Sequence, residues 1–332
     1  MKLPANSVRI IACSILIFVS FLGNTILIYC TWRCIERRLP TSFALIFSLS
    51  VVHLVKNLVV NTINISYSAG IPSTTLSCKI GIFTGSVGTT LEIWFTLYLA
   101  IFYCFKLNRV VYPRRAPPNG KWRKFHLMTV FALWITAIAL SCPYLIFGDN
   151  VENEAPLNIS YFFHHNFLNE ECGILFRDDN VKLYYQQIFM VIIDLLPLAI
   201  LVMLSFRIVL LLYERKNATY GNFWLRHDAS ETEVLRASKL VILLMSLVTA
   251  LWISHFILVY FLKYITSWSF SPTVVAVLFS GYSSLSPYLL MLINYKISLK
   301  LRSLSSFCCT NTKKSKSSDA EKSLPKNAIV EN

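Results

Sequence analysis

The chain has 332 residues, 55% of them hydrophobic and only 14% charged, against the roughly 25% charged usual in soluble domains. This excludes a soluble globular protein and leaves no length for a separate soluble domain. The net charge of +14 does not point to nucleic acid, because it is spread between apolar segments and no basic patch is interleaved with stacking aromatics.

Seven apolar stretches are predicted to be helices, near 7–32, 41–64, 79–105, 125–147, 184–213, 240–261 and 273–295. Each has about 20 residues or more, enough to cross a hydrocarbon core of roughly 30 Å. The expected fold class is therefore an all-α seven-transmembrane bundle over 1–302, followed by a disordered polar tail over 303–332. With the N-terminus outside, the inner segments hold 24 of the 31 lysines and arginines. That bias fixes the orientation with the C-terminus inside.

In chain order, the outer N-terminal segment is too short to bind a folded ligand. The first span is longer than the roughly 7–15 apolar residues of a signal peptide and lacks a small-residue cleavage site, so it reads as a retained helix. Arg33, Arg37 and Arg38 form a basic inner turn, and Pro40-Thr41 marks the next helix start. Cys78 opens span three on the outer side. A turn-rich basic loop runs from Pro113 to Gly120. The long outer loop, about 148–183, is acidic and carries Cys172. The third inner loop, about 214–239, is polar and mixed in charge.

Cys78 and Cys172 face the oxidising side, which predicts a disulfide between them. Asn158-Ile-Ser in the outer loop is a glycosylation acceptor. Asn64-Ile-Ser matches the same pattern but sits at a helix end, and Asn217-Ala-Thr lies inside. Cys308 and Cys309, just past the last helix, are candidates for lipidation.

Ionisable groups within spans are costly and are candidates for function. Five stand out: His53 and Lys56 in span two, Glu92 in span three, Asp194 in span five and His255 in span six. His53 and Lys56 are three residues apart and share a helix face. A His53–Glu92 pair is expected to lock helices together. Lys56 and His255 are expected nearer the outer half, where an anionic or pH-sensitive ligand could meet them. No catalytic or metal-site motif occurs, which argues against an enzyme and against a bound cofactor or metal. The spans carry no internal repeat, which argues against a transporter or channel built from duplicated halves.

Landmarks in order along the chain resemble rhodopsin-like G-protein-coupled receptors: Leu22-Gly23-Asn24, Cys78, Trp134, Pro197 and Pro287. The departures are specific. Phe102-Tyr103-Cys104 stands where Asp-Arg-Tyr is usual, Ser286-Pro287-Tyr288-Leu289-Leu290 where Asn-Pro-x-x-Tyr is usual, and Ser254 follows Trp252 in place of proline. Gly281-Tyr-Ser-Ser-Leu-Ser-Pro287, the span-six start at Arg236-Ala237, and Ser48-Leu-Ser-Val-Val-His53 resemble vomeronasal type-1 receptors and the related olfactory receptor class A-like proteins. The segment Phe102–Lys106 also resembles bitter taste receptors, the alternative within the same architecture.

The resemblance implies a chemosensory receptor of the plasma membrane that takes a small pheromone or odorant and activates a heterotrimeric G protein. It implies ligand walls at Lys56, Gly85, Ser86, Thr89, Phe189, Met190, Trp252, His255 and Phe256, and a G-protein face at Tyr103, Lys106, Arg114 and Arg115. His53 holds the place of the span-two Asp that anchors sodium in rhodopsin-like receptors. Glu92, Asn24 and Ser286 are expected around it as one intramembrane polar cluster.

Overall fold

The computed structural model describes residues 5–35, 42–72, 74–112, 119–150, 172–174, 179–221, 229–262 and 271–293. Its elements are α1 (Ala5–Ile35), α2 (Ser42–Ser68), α3 (Thr75–Val111), α4 (Asn119–Phe147), β1 (Gly148–Asn150), β2 (Cys172–Ile174), α5 (Asp179–Ile188), a π-helical stretch (Phe189–Leu195), α6 (Leu196–Gly221), α7 (Ala229–Leu262) and α8 (Ser271–Ile293). Among the described residues seven helices are long and apolar enough to cross a membrane, at positions matching the seven expected spans. Span five is α5, the π stretch and α6 taken together.

The helices overrun the apolar windows. α3 continues to Val111, and α6 and α7 extend into the expected third inner loop, leaving 222–228 outside the described residues. Hydropathy marks where the hydrocarbon ends; backbone hydrogen bonding lets a helix continue beyond it. The expected outer loop also contains structure: β1 and β2 pair antiparallel with Asn150 opposite Cys172, and both strands touch α3.

The turn between α2 and α3 is specified locally. Gly70 adopts φ +83°, a left-handed conformation that favours glycine. Its N–H bonds the Tyr67 carbonyl at 2.9 Å while the Ile71 N–H reaches Ser66 at 3.1 Å, the paired bonds of a Schellman ending. Thr74 then caps α3, accepting from the Ser77 N–H while the Ser77 hydroxyl accepts from the Thr74 N–H.

The helices pack as a ring in which α1 and α2 meet, α1 and α2 both touch α8, and α7 links α8 to α6. α3 runs through the middle, against α2, α4, α6 and α7. Two-thirds (67%) of its most apolar stretch is buried, against 22% for α4. Small residues make this central position possible: Gly81, Gly85, Ser86, Gly88, Thr89 and Thr90 are all buried on α3. The outward faces of α1, α4 and span five expose large apolar side chains such as Phe18, Phe131 and Phe206, as surfaces facing lipid do.

Candidate functional site

At the centre of the bundle α2, α3 and α8 bring a charged pair together. Lys56 Nζ lies 2.7 Å from Glu92 Oε2, and the two side chains are 1% and 0% exposed. The same ammonium donates to the Phe279 carbonyl at 3.0 Å. It also lies 3.9 Å from the centroid of the Phe279 ring and 5.3 Å from that of Trp252, within cation–π range. The Lys56 stem is seated on Gly88, where an added Cβ would stand 2.9 Å from its Cδ and 3.0 Å from its Cβ and Cγ. Asp194, buried in the π-helical stretch, interacts electrostatically with Lys56.

The expected approach of His53 to Glu92 is present, as the longer of two contacts to that carboxylate. His53 Nε2 is 3.9 Å from Glu92 Oε1, too long for a hydrogen bond. His53 Nδ1 bonds the Ser286 hydroxyl at 2.9 Å, and its ring meets Tyr282 edge-on at 5.3 Å. The first partner of Glu92 is Lys56. Lys56 thus already has an anionic partner within the bundle. His53 and Lys56 do share a face, so spacing alone left both as partners for Glu92.

Around this pair runs a polar seam that the sequence analysis missed. Asn57 donates to the Ser20 and Ser283 hydroxyls at 3.0 and 2.7 Å. Asn61 donates to Asn57 Oδ1 at 2.8 Å, and Ser280 donates to Asn61 Oδ1 at 3.2 Å. Thr96 and Tyr282 share a hydroxyl–hydroxyl bond of 2.5 Å. The available signal was the recurrence of His53, Asn57, Asn61, Asn64 and Ser68 at helical spacing on α2, one buried polar stripe.

Two proline landmarks acquire a physical role here. A helical proline cannot donate to the carbonyl four residues back. For Pro287 that carbonyl belongs to Ser283, and Asn24 Nδ2 donates to it at 3.2 Å. Pro197 directly follows the π stretch, where Trp94 Nε1 donates to the Ile193 carbonyl at 3.1 Å. Gly23 lets α1 approach: a Cβ there would be 2.8 Å from Pro287 Cγ and 3.0 Å from the Tyr288 ring.

Of the expected ligand walls, Lys56, Trp252, His255 and Phe256 converge. Trp252 stacks edge-on with His255 at 5.3 Å, Phe256 lies 5.8 Å from Trp252, and Phe279, not foreseen, touches Trp252 and His255. Thr89 lies one turn outward of Glu92 on α3 and is buried. Ser86 and Phe189 join a second cluster between spans three, four and five. There Ser86 bonds Ser141 at 3.0 Å, and Phe189 packs on Tyr144 and Tyr185. Gly85 is buried on the same helix. The side chain of Met190 lies outside the described residues.

On the outer side Cys78 is buried and disulfide-bonded. The expected partner, Cys172, begins β2, but its side chain lies outside the described residues, as do Asn158, Cys308 and Cys309. Asn64 is fully buried and accepts from Arg9 Nη2 at 2.6 Å, so its sequon is occupied by a structural bond. On the inner side Tyr103 is 6% exposed and Lys106 lies over the Phe102 ring at 4.6 Å. Tyr98 bonds His126. Tyr112 donates to Glu214 at 2.8 Å, tying the inner ends of spans three and five, and this bond to a carboxylate pushes the Tyr112 phenol pKa up. Arg114 and Arg115 lie outside the described residues.

Six spans around a tightly packed third helix, with polar groups turned inward, are the build of a seven-helix membrane receptor. A family model described as "7 transmembrane receptor (rhodopsin family)" matches residues 23–288. The chain belongs to the rhodopsin family of G-protein-coupled receptors. It is a multi-pass membrane receptor that signals through heterotrimeric G proteins and not an enzyme. No curated protein matches the chain.

Proposed function

We propose that this receptor is chemosensory, of the vomeronasal type-1 or olfactory class A-like kind, acting at the plasma membrane of sensory neurons. A small pheromone or odorant enters from outside and settles in the outer half of the bundle against Lys56, Gly85, Ser86, Thr89, Phe189, Met190, Trp252, His255 and Phe256. Cys172, as the disulfide partner of Cys78, pins the acidic outer loop above that site, and Asn158 carries its glycan. Ligand binding favours one of two helix arrangements, and the inner face with Tyr103, Lys106, Arg114 and Arg115 receives the G protein. Cys308 and Cys309 anchor the tail to the inner leaflet by acylation.

The observation that carries this reading is the aromatic group Trp252–His255–Phe279 resting on the Lys56–Glu92 pair. It joins apolar surface to a few buried polar groups, the composition of a small-molecule site. The motif Gly281-Tyr-Ser-Ser-Leu-Ser-Pro287 supports the subfamily. The test is expression in a reporter cell with a promiscuous G protein, screened against acids, amines, steroids, ketones and bitter compounds. Activation by odorant-like molecules supports the proposal. Activation confined to bitter compounds moves the chain to the taste receptors, and silence across the panel overturns the chemosensory reading.

A further inference from the structure

Arg207 stands on the outside of the bundle, within span five. It is exposed, and it makes no hydrogen bond or ion pair among the described residues. Its neighbours Met203 and Phe206 are exposed as well. From Gln187 to Arg207 the span carries about 30 Å of helix, the thickness of a hydrocarbon core. Asp194, the one charge between them, is buried. Arg207 therefore lies at the depth of the inner-leaflet phosphates.

Two contacts fix its position around the helix. Ser205 faces α7, where its hydroxyl meets Met245 Sδ at 3.6 Å. Arg207 is two residues on, about 200° round the helix, so it is turned away from α7. Glu214, two turns further on the same face, accepts from Tyr112 of α3 at 2.8 Å. Arg207 thus borders the groove between α3 and α6, on the side remote from α7. Its electrostatic interaction with both Cys104 and Tyr112 agrees with this place. Trp94 meets Ile193 and Tyr112 meets Glu214, so the two helices run parallel. Arg207 is then level with Phe105, two turns before Tyr112. Phe105, Arg109 and Tyr112 form one exposed stripe on α3 with i, i+4, i+7 spacing. Arg109 stands across the groove, about one turn nearer the inner surface.

An arginine facing lipid at this depth is stabilised by an anion. The acid on its own face, Glu214, is about 10 Å along the helix and is engaged by Tyr112. Lipid supplies what the described residues do not. Guanidinium and phosphate match as a two-point, charge-assisted pair, and the inner leaflet carries the anionic lipids. A zwitterionic head leaves the charge of the two arginines unbalanced; an anionic head offsets part of it.

We propose that the inner-leaflet groove between α3 and α6 binds an anionic phospholipid. Its phosphate sits on Arg207, Arg109 flanks the headgroup, and the acyl chains run outward over Phe206 and Met203.

The full-length receptor is reconstituted in an equal mixture of phosphatidylcholine and phosphatidylserine and extracted into mild detergent, and its retained lipid is identified by native mass spectrometry. Phosphatidylserine is expected to stay bound in preference to phosphatidylcholine. Arg207→Gln is expected to lower the retained serine-to-choline ratio about fivefold, the worth of one arginine near the inner surface. Arg207→Lys keeps the charge but loses the fork and is expected to lower it less. Arg236→Gln removes an exposed charge from α7 and is expected to leave the ratio unchanged. The ratio is read on folded receptor, so a variant of poor yield still reports it. Equal retention of the two lipids by the native receptor overturns the proposal, as does a preference that survives Arg207→Gln. A fall of the same size in Arg236→Gln reduces the effect to general attraction and overturns the site.

Discussion

Removal of one partner of the Lys56–Glu92 pair tests the centre of the bundle most directly. The two atoms are 2.7 Å apart and both side chains are essentially inaccessible. At an effective dielectric near 20 their attraction is about 6 kcal/mol, much of it offset by the lost hydration of both ions. Breaking a buried pair from one side leaves the other charge uncompensated and costs about 3–5 kcal/mol. Glu92→Gln and Lys56→Met are each expected to lower the thermal unfolding midpoint of the purified receptor by roughly 6–10 °C, taking about 2 °C per kcal/mol for a chain of this size. The double variant removes both charges together and is expected to fall within about 2 kcal/mol of the native receptor. Because the pair ties α2 to α3 and, through the Phe279 carbonyl, to α8, both single variants are also expected to change ligand-independent nucleotide exchange on the G protein. Single effects that simply add in the double variant, or a Glu92→Gln receptor with native stability and basal signalling, refute the reasoning.

Three further outcomes follow from local geometry. Gly88→Ala places a Cβ 2.9–3.0 Å from three carbons of the Lys56 stem, its Cβ included; it is expected to lose about 1–3 kcal/mol by overpacking, and much less in a Lys56→Gly background, as thermal unfolding of both receptors measures. Asn24→Ala leaves the Ser283 carbonyl without its side-chain donor and is expected to lose about 1–3 kcal/mol, read in the same assay. Asn64→Gln disrupts the 2.6 Å bond from Arg9 and is expected to reduce stability by about 1.5–3 kcal/mol without changing the glycosidase-sensitive mass, whereas Asn158→Gln abolishes that mass.

The seven spans were legible because hydropathy reads lipid contact directly, and α1, α4 and span five, the least buried of the seven, are long apolar runs. What hydropathy could not show is where a helix stops once it leaves the hydrocarbon, hence the longer α3, α6 and α7. It also could not show the π-helical turns around Asp194, which add a residue to each turn without changing composition. In the centre, residue types were legible and partners were not. His53 and Lys56 stand on one face of α2, and the rotation of that face toward α3 decides between them. The decision falls to Gly88, whose missing side chain gives the Lys56 stem its path. A glycine in a helix reads from sequence only as a propensity cost; its role depends on which side chain lies against it.

Landmarks that look independent in sequence are joined in the fold. Pro287 leaves the Ser283 carbonyl without a backbone donor, Asn24 supplies one from α1, and Gly23 lets α1 come close enough for it to do so. Beside Pro197 the Ile193 carbonyl of the π-helical stretch takes a side-chain donor from Trp94 on α3. Backbone groups freed inside the membrane need partners from within the protein, and these two side-chain bonds tie each span to a particular neighbour. One fixes α8 to α1, the other fixes span five to α3. The Lys56–Glu92 pair bridges α2 and α3 between these two fixed points and, through Phe279, reaches α8. A ligand acting on Trp252 and Phe279 therefore acts on the junction held by the buried ion pair, whose energy changes steeply with a small displacement.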